Sequence, residues 1–208
     1  MGKSKILAKL AVASLAVFSM SSQASFWVAG DFAKVKGNSF DSTQAALAQV
    51  NSGLMITQYD EDRRAWSIVA GHQLSEAFSV DLGYMDMGDV ELTAVGASIT
   101  PNQSAAIIAA EHPITAQGLF VAGSFYHEYS ELTQLQMQFG LWFWDSEYDV
   151  YVNNQRLATL KSDGQDVFVK LSIEHKIVDD LAVTAGVRML QDDTIAKPSL
   201  VFGAKYRF

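Results

Sequence analysis

Six ionisable residues stand in stretches of this sequence that are otherwise apolar or small: Asp31, Asp81, Lys170, Glu174, Arg188 and Lys205. Side chains of these types can pair with one another, line a path for ions, or fix the register of a packed interior. Charges removed from water are costly unless they pair, so acids and bases in similar surroundings point first to a mutual network. A second candidate chemistry is acyl transfer or hydrolysis by a His with a Ser and an acid. His72, His127 and His175 fall near the ends of alternating segments, and only His112, between Glu111 and Pro113, lies in a long connecting segment, which also holds Ser98 and Ser104. No spacing marks these as partners, and the chain is expected not to be an enzyme. A third is divalent-cation binding by carboxylates. Asp41, Asp60, Glu61, Asp62, Asp89, Glu91, Glu111, Glu147, Asp149, Asp163, Asp192 and Asp193 outnumber Arg156, Lys161 and Lys197 in the connecting segments. They follow no EF-hand-like spacing and name no ligand set, so a solvated acidic surface is the plainer reading. Neither a metal site nor a cofactor is expected. The chain has no cysteine, which excludes disulfides, thiolate-bound zinc, thiol catalysis and a lipoprotein anchor.

The frame that must position these residues is bounded by 208 residues, enough for one domain or two small ones. With three prolines, fourteen glycines and 49% hydrophobic residues, the chain reads as a packed structure rather than a disordered one. Its net charge of −8 leaves no basic patch for phosphates, so nucleic acid is excluded as a partner.

Residues 1–24 read as a secretory signal. Lys3, Lys5 and Lys9 precede an uncharged apolar stretch from Leu10 to Met20, and Ser22-Gln23-Ala24 supplies small residues for cleavage after Ala24. That stretch is about half the roughly twenty residues needed to cross a bilayer as a helix. The folded domain is then 25–208, exported to the periplasm. No later segment is apolar for long enough to be a membrane helix. A secreted soluble sandwich and an outer-membrane barrel remain.

Alternation separates them. Leu200, Phe202, Ala204, Tyr206 and Phe208 alternate with Ser199, Val201, Gly203, Lys205 and Arg207. The same period of two runs through Val167–Glu174, Leu181–Leu190 and Gln134–Phe143. Eight such segments are read, near 26–36, 63–73, 77–88, 118–127, 133–146, 165–177, 181–191 and 198–208. Each is about the ten residues a tilted membrane-crossing strand needs. Connections at 74–76, 128–132 and 178–180 are tight; those at 37–62, 89–117 and 147–164 are long, and 192–197 breaks the trend. This segregation predicts an all-β, eight-stranded antiparallel transmembrane barrel with short periplasmic turns and longer extracellular loops. A short helix is expected over 41–50 in the first loop, begun by Asp41 or Ser42.

Ala70-Gly71-His72-Gln73-Leu74 runs through a short turn into Val80-Asp81-Leu82-Gly83-Tyr84-Met85-Asp86-Met87-Gly88; Phe139-Gly140-Leu141-Trp142-Phe143-Trp144-Asp145 follows, and Phe202-Gly203-Ala204-Lys205-Tyr206-Arg207-Phe208 closes the chain. In the order and spacing of these motifs the chain resembles the OmpA-type eight-stranded outer-membrane barrels. His72 and His175 depart from the resemblance, standing where that family usually has an aromatic. No peptidoglycan-binding domain is read after the barrel, so a cell-wall tether is not carried over. The resemblance implies that the barrel assembly machinery reads Tyr206 and Phe208 as a C-terminal signal.

The expected function is an integral outer-membrane barrel with a structural or surface-interaction role, its interior plugged by the six charges. Asp31 and Lys205 lie on strands that become neighbours on closure and are the first-choice pair. A narrow passive pore is the alternative, and a lipid-modifying enzyme a distant third. Expected partners are outer-membrane lipid and lipopolysaccharide, the latter through Arg63 and Arg64 unless these neutralise Asp60, Glu61 and Asp62. An unidentified extracellular ligand is left open, and a monomer is expected.

Overall fold

The computed structural model describes residues 25–36, 44–45, 48–49, 54–59, 62–88, 92–96, 116–152, 155–191 and 198–208. The expected leader, 1–24, lies outside them. Ten strands form in chain order: β1 Phe26–Lys36, β2 Leu54–Tyr59, β3 Asp62–Ser75, β4 Phe78–Asp86, β5 Leu92–Gly96, β6 Gln117–Ser130, β7 Thr133–Val152, β8 Gln155–Val178, β9 Leu181–Gln191 and β10 Pro198–Arg207. Eight of them close a ring in the order β1-β3-β4-β6-β7-β8-β9-β10, every neighbouring pair antiparallel. Closure is the β1–β10 ladder, running from Trp27↔Arg207 to Lys34↔Leu200. A closed ring leaves no edge to pair with another chain.

All three tight turns are two residues long, at Glu76-Ala77, Glu131-Leu132 and Asp179-Asp180, and each follows a register shift in the strand before it. They are shorter than the alternation implies, because the bulged strand end continues pairing one residue past the shift. At the opposite end two expectations are corrected. Segment 147–164 is not a loop: β7 and β8 stay paired up to Val152↔Gln155, so the hairpin rises well beyond the ring. Segments 37–62 and 89–117 hold β2 and β5, which pair with each other and touch β7 through Ala94↔Val152. In the first loop Gln44, Ala45, Ala48 and Gln49 are helical, and the other residues of 41–50 lie outside the described ones.

Period-two alternation gives the wall two faces. Outward lie Phe32, Ile68, Leu82, Val121, Phe139, Leu171, Val183, Phe202 and their neighbours, all exposed. A continuous apolar band of this extent is untenable in water and is the solvent-facing side of a barrel in lipid. Inward, four glycines face a ring directly across the ladder: Gly71 and Trp27, Gly83 and Phe120, Gly140 and Phe168, Gly164 and Trp144. The missing Cβ is the room the ring occupies. A methyl group at Gly140 would lie 2.3 Å from Phe168 Cε1 and 2.9 Å from the Ala122 Cβ.

Gly140→Val should therefore lower unfolding stability by about 1–3 kcal/mol through overpacking, read from urea midpoints of the reconstituted barrel. Gly30→Ala, whose new Cβ meets nothing nearer than 4.0 Å, should stay within about 0.5 kcal/mol of the parent. Equal midpoints for the two variants would contradict this packing.

Candidate functional site

The inner wall is divided by depth. Toward the two-residue turns it is polar, and toward the long connections it is apolar. In the polar half Asp31, Asp81, Lys170, Glu174, Arg188 and Lys205 are all buried, none more than 4% exposed. The expected charged residues thus share one lumen, in three groupings that the alternation alone does not specify.

Nearest the turns, Glu174 of β8 accepts from Lys205 Nζ at 2.9 Å and from Arg207 Nη2, both on β10. Its carboxylate is fully enclosed, so two cations on one acid offset its desolvation. Lys205 also donates to the Tyr126 hydroxyl at 3.3 Å and stands 4.1 Å above the centre of the Trp27 ring. One step deeper, Asp31 of β1 takes Lys170 Nζ at 2.6 Å and Arg188 Nη2 at 3.2 Å. Ser67 and Thr184 hydroxyls complete its shell at 3.4 Å each. Arg188 goes further, donating from Nη2 to Ser67 Oγ at 2.8 Å and from Nη1 to Met85 Sδ at 3.1 Å.

Asp81 is held differently. Ser79 Oγ donates at 2.7 Å, Gln138 Nε2 at 2.7 Å, and Ser124 Oγ at short range. All three donors are neutral. Gln136 ties this shell to the rest by donating to Ser124 Oγ at 2.9 Å and accepting from Ser172 Oγ at 3.3 Å. The Ser79 and Tyr126 hydroxyls, 3.0 Å apart, link Asp81 to the Lys205–Glu174 pair. A buried carboxylate can be stabilised by such donors alone when enough of them converge.

Beyond the charges, toward the long connections, Met85, Met87, Phe120, Trp142, Phe168 and Leu190 fill the lumen, each at most 4% exposed. Phe120 and Phe168 meet edge to face at 5.1 Å. This layer is apolar and continuous with the packed cluster of the wall.

The expected Asp31–Lys205 pair does not form. Their strands are neighbours, but Asp31 stands across from Gly203 and Lys205 from Ala29, one inward step lower. That step hands Lys205 to Glu174 and leaves Asp31 to Lys170 and Arg188. Arg207, Tyr126, Gln136, Gln138, Ser79 and Ser124 are members of the network that inspection of charge alone passes over, although their parity already places them on the inner face. Tyr206 and Phe208 point outward, with their rings edge to face at 5.0 Å, and Phe208 N donates to Phe26 O at 2.9 Å. His72 stacks on Phe26 at 4.6 Å, which suits a position where an aromatic is usual, and His175 Nδ1 lies 2.9 Å from Thr133 Oγ1. His112, Ser98 and Ser104 lie outside the described residues, as do most of the acidic loop positions.

The family model for an OmpA-like transmembrane domain matches residues 33–200. Among solved structures, the N-terminal β-barrel domain of Pseudomonas aeruginosa OprF is similar, with a TM-score of 0.54 at 7% identity over 88% of this chain and 97% of that one. Neisserial surface protein A gives 0.49 at 13% identity, covering 90% of this chain and all (100%) of that one. Yersinia pestis outer membrane protein Ail gives 0.47 at 10%, covering 89% and 100%. No curated protein sequence matches.

The two modes of holding a buried acid make separable predictions. Asp31→Asn leaves Lys170 and Arg188 facing each other uncompensated and should cost about 3–5 kcal/mol. Asp81→Asn strips charge from a shell of neutral donors and should cost about 1–3 kcal/mol. Urea unfolding of both variants in the same lipid checks the order; an Asp81 variant as damaged as the Asp31 variant would contradict it.

Proposed function

We propose that this chain, which belongs to the OmpA-like transmembrane domain family, works as a plugged barrel with a structural or surface-interaction role. It is a bacterial outer-membrane β-barrel protein, and the proposal concerns what its lumen and its ends do. The observation that carries the plugged reading is that side chains meet straight across the lumen. Arg188 on β9 reaches Met85 on β4, and Lys205 on β10 reaches Tyr126 on β6. In the ring order each of these pairs is separated by half the circumference. An eight-stranded barrel has an interior just wide enough for side chains to fill. The apolar layer of Met85, Phe120, Trp142, Phe168 and Leu190 adds a second barrier of a different kind, because an ion crossing it would lose its water and gain no ligand.

A narrow passive pore is the second reading, since the charged network in the inner half is the polar lining such a path would use. Lipid modification is a distant third. The surface role falls to the ribbon of β7 and β8, which extends past Asp145 by roughly 20 Å at ordinary strand rise. There Glu147 and Lys161 pair in solvent at 2.9 Å. Residues 1–24 act in this reading as the cleaved export signal. The outward pair Tyr206 and Phe208 serves as the end that the barrel assembly machinery reads. The protein works as a monomer, with outer-membrane lipid and lipopolysaccharide around it.

Reconstitution in planar bilayers tests the plugged lumen. The wild-type barrel should show no stable current steps in molar potassium chloride. Discrete, long-lived steps would overturn the plug and install the pore.

A further inference from the structure

The ring is closed by the β1–β10 ladder, and one buried acid bridges that seam. Asp31 stands on β1, yet its ion partners Lys170 and Arg188 stand on β8 and β9, beyond β10. A single oxygen, Asp31 Oδ2, receives both cations, at 2.6 Å from Lys170 Nζ and 3.2 Å from Arg188 Nη2. Thr184 of β9 donates to the other oxygen at 3.4 Å. The remaining buried acids keep to one side of the seam: Glu174 is held from β10, and Asp81 from β4, β6 and β7. To reach β9 the Asp31 carboxylate passes over Gly203, its partner in the β1–β10 ladder. A Cβ at 203 would lie 2.4 Å from Asp31 Oδ1 and 2.4 Å from Gly30 O, so this close approach requires a glycine.

Without Asp31 the far side of the seam is at odds with itself. Lys170 and Arg188 are direct cross-strand partners in the β8–β9 ladder, and both side chains are buried. Like charges directly opposite destabilise a ladder, and burial removes the water and salt that would screen them. The imbalance runs along that whole side. Within the described network Lys170, Arg188, Lys205 and Arg207 all stand on β8, β9 and β10, and Glu174 is the acid those strands supply. Asp31 brings the missing negative charge from the first strand of the chain. Docking of β1 and relief of the β8–β9 repulsion are therefore one event.

We propose that Asp31 is the latch of the barrel wall: its charge holds the β1–β10 seam shut, and when that charge is lost the ring opens there before anywhere else. Amide hydrogen exchange read by mass spectrometry tests this on the full barrel in lipid vesicles. Exchange in β1 and β10 is compared with exchange in β4 and β6 of the same sample. Asp31→Asn should raise that ratio by about tenfold or more. Asp81→Asn, which removes a buried acid whose partners lie on one side of the seam, should leave the ratio unchanged. Removing one of the two repelling cations as well, in Asp31→Asn with Lys170→Met, should bring the ratio back to within about threefold of the wild type. A uniform rise around the ring in Asp31→Asn would make the residue an ordinary stabilising contact and overturn the latch. A double variant no better protected at the seam than the single one would overturn it too, because the repulsion would then not be what opens the wall. If Asp31→Asn alone does not fold, the heat-dependent gel shift of the double variant decides: its return supports the latch, and its absence sinks it.

Discussion

Everything inside this barrel answers to the cost of a charge that cannot reach water. A ring of eight strands encloses a space that side chains fill, so a carboxylate pointed inward must find its compensation on another inward-pointing side chain. Glu174 finds two cations on one strand, Lys205 and Arg207. Asp31 finds its two on different strands, Lys170 on β8 and Arg188 on β9. Asp81 finds hydroxyls and an amide. Each solution ties together strands that are not neighbours in the ring, which a ladder of backbone hydrogen bonds cannot do.

The same constraint explains why the lumen changes character with depth. Arg188 is the joint between the halves: its guanidinium holds Asp31 on one side and leans on the Met85 thioether on the other. Past that point the wall offers Met87, Phe120, Trp142, Phe168 and Leu190, which need no partners and gain by excluding water. Glycines at 71, 83, 140 and 164 leave the room that facing rings occupy. Outside, the rule is reversed. Apolar residues face lipid, and the charges Lys34, Arg64, Asp86 and Asp145 are confined to the rim.

Most of the frame was legible because lipid and lumen impose opposite demands on alternate residues. Leu181–Leu190 and Leu200–Phe208 show that alternation without interruption, and their strands begin and end almost where expected. Legibility ended where those demands end. Beyond Asp145 the β7–β8 hairpin runs past the ring: Tyr148, Val150 and Val152 still alternate with Glu147 and Asp149 on β7, but Gln155–Gly164 on β8 shows no period of two. Pairing inside the lumen was legible only as membership. Adjacency on β1 and β10 suggested Asp31 with Lys205, but depth decides contact, and depth depends on a register stagger that residue types do not encode. Arg207 stands on the inner face by parity, but its pairing with Glu174 is set by depth and not by residue type.

Each lumen acid is compensated locally, by the cations or donors at its own depth. A double-mutant cycle on Glu174 and Lys205 tests it most directly, with Glu174→Gln, Lys205→Met and the combined variant unfolded by urea in the same lipid vesicles. Local compensation predicts that the two losses are not additive, with a coupling energy of about 1–3 kcal/mol, and that the same cycle on Asp31 and Lys205 gives about zero. Additive losses at Glu174 and Lys205 would contradict the account and describe a lumen wet enough to screen its own charges.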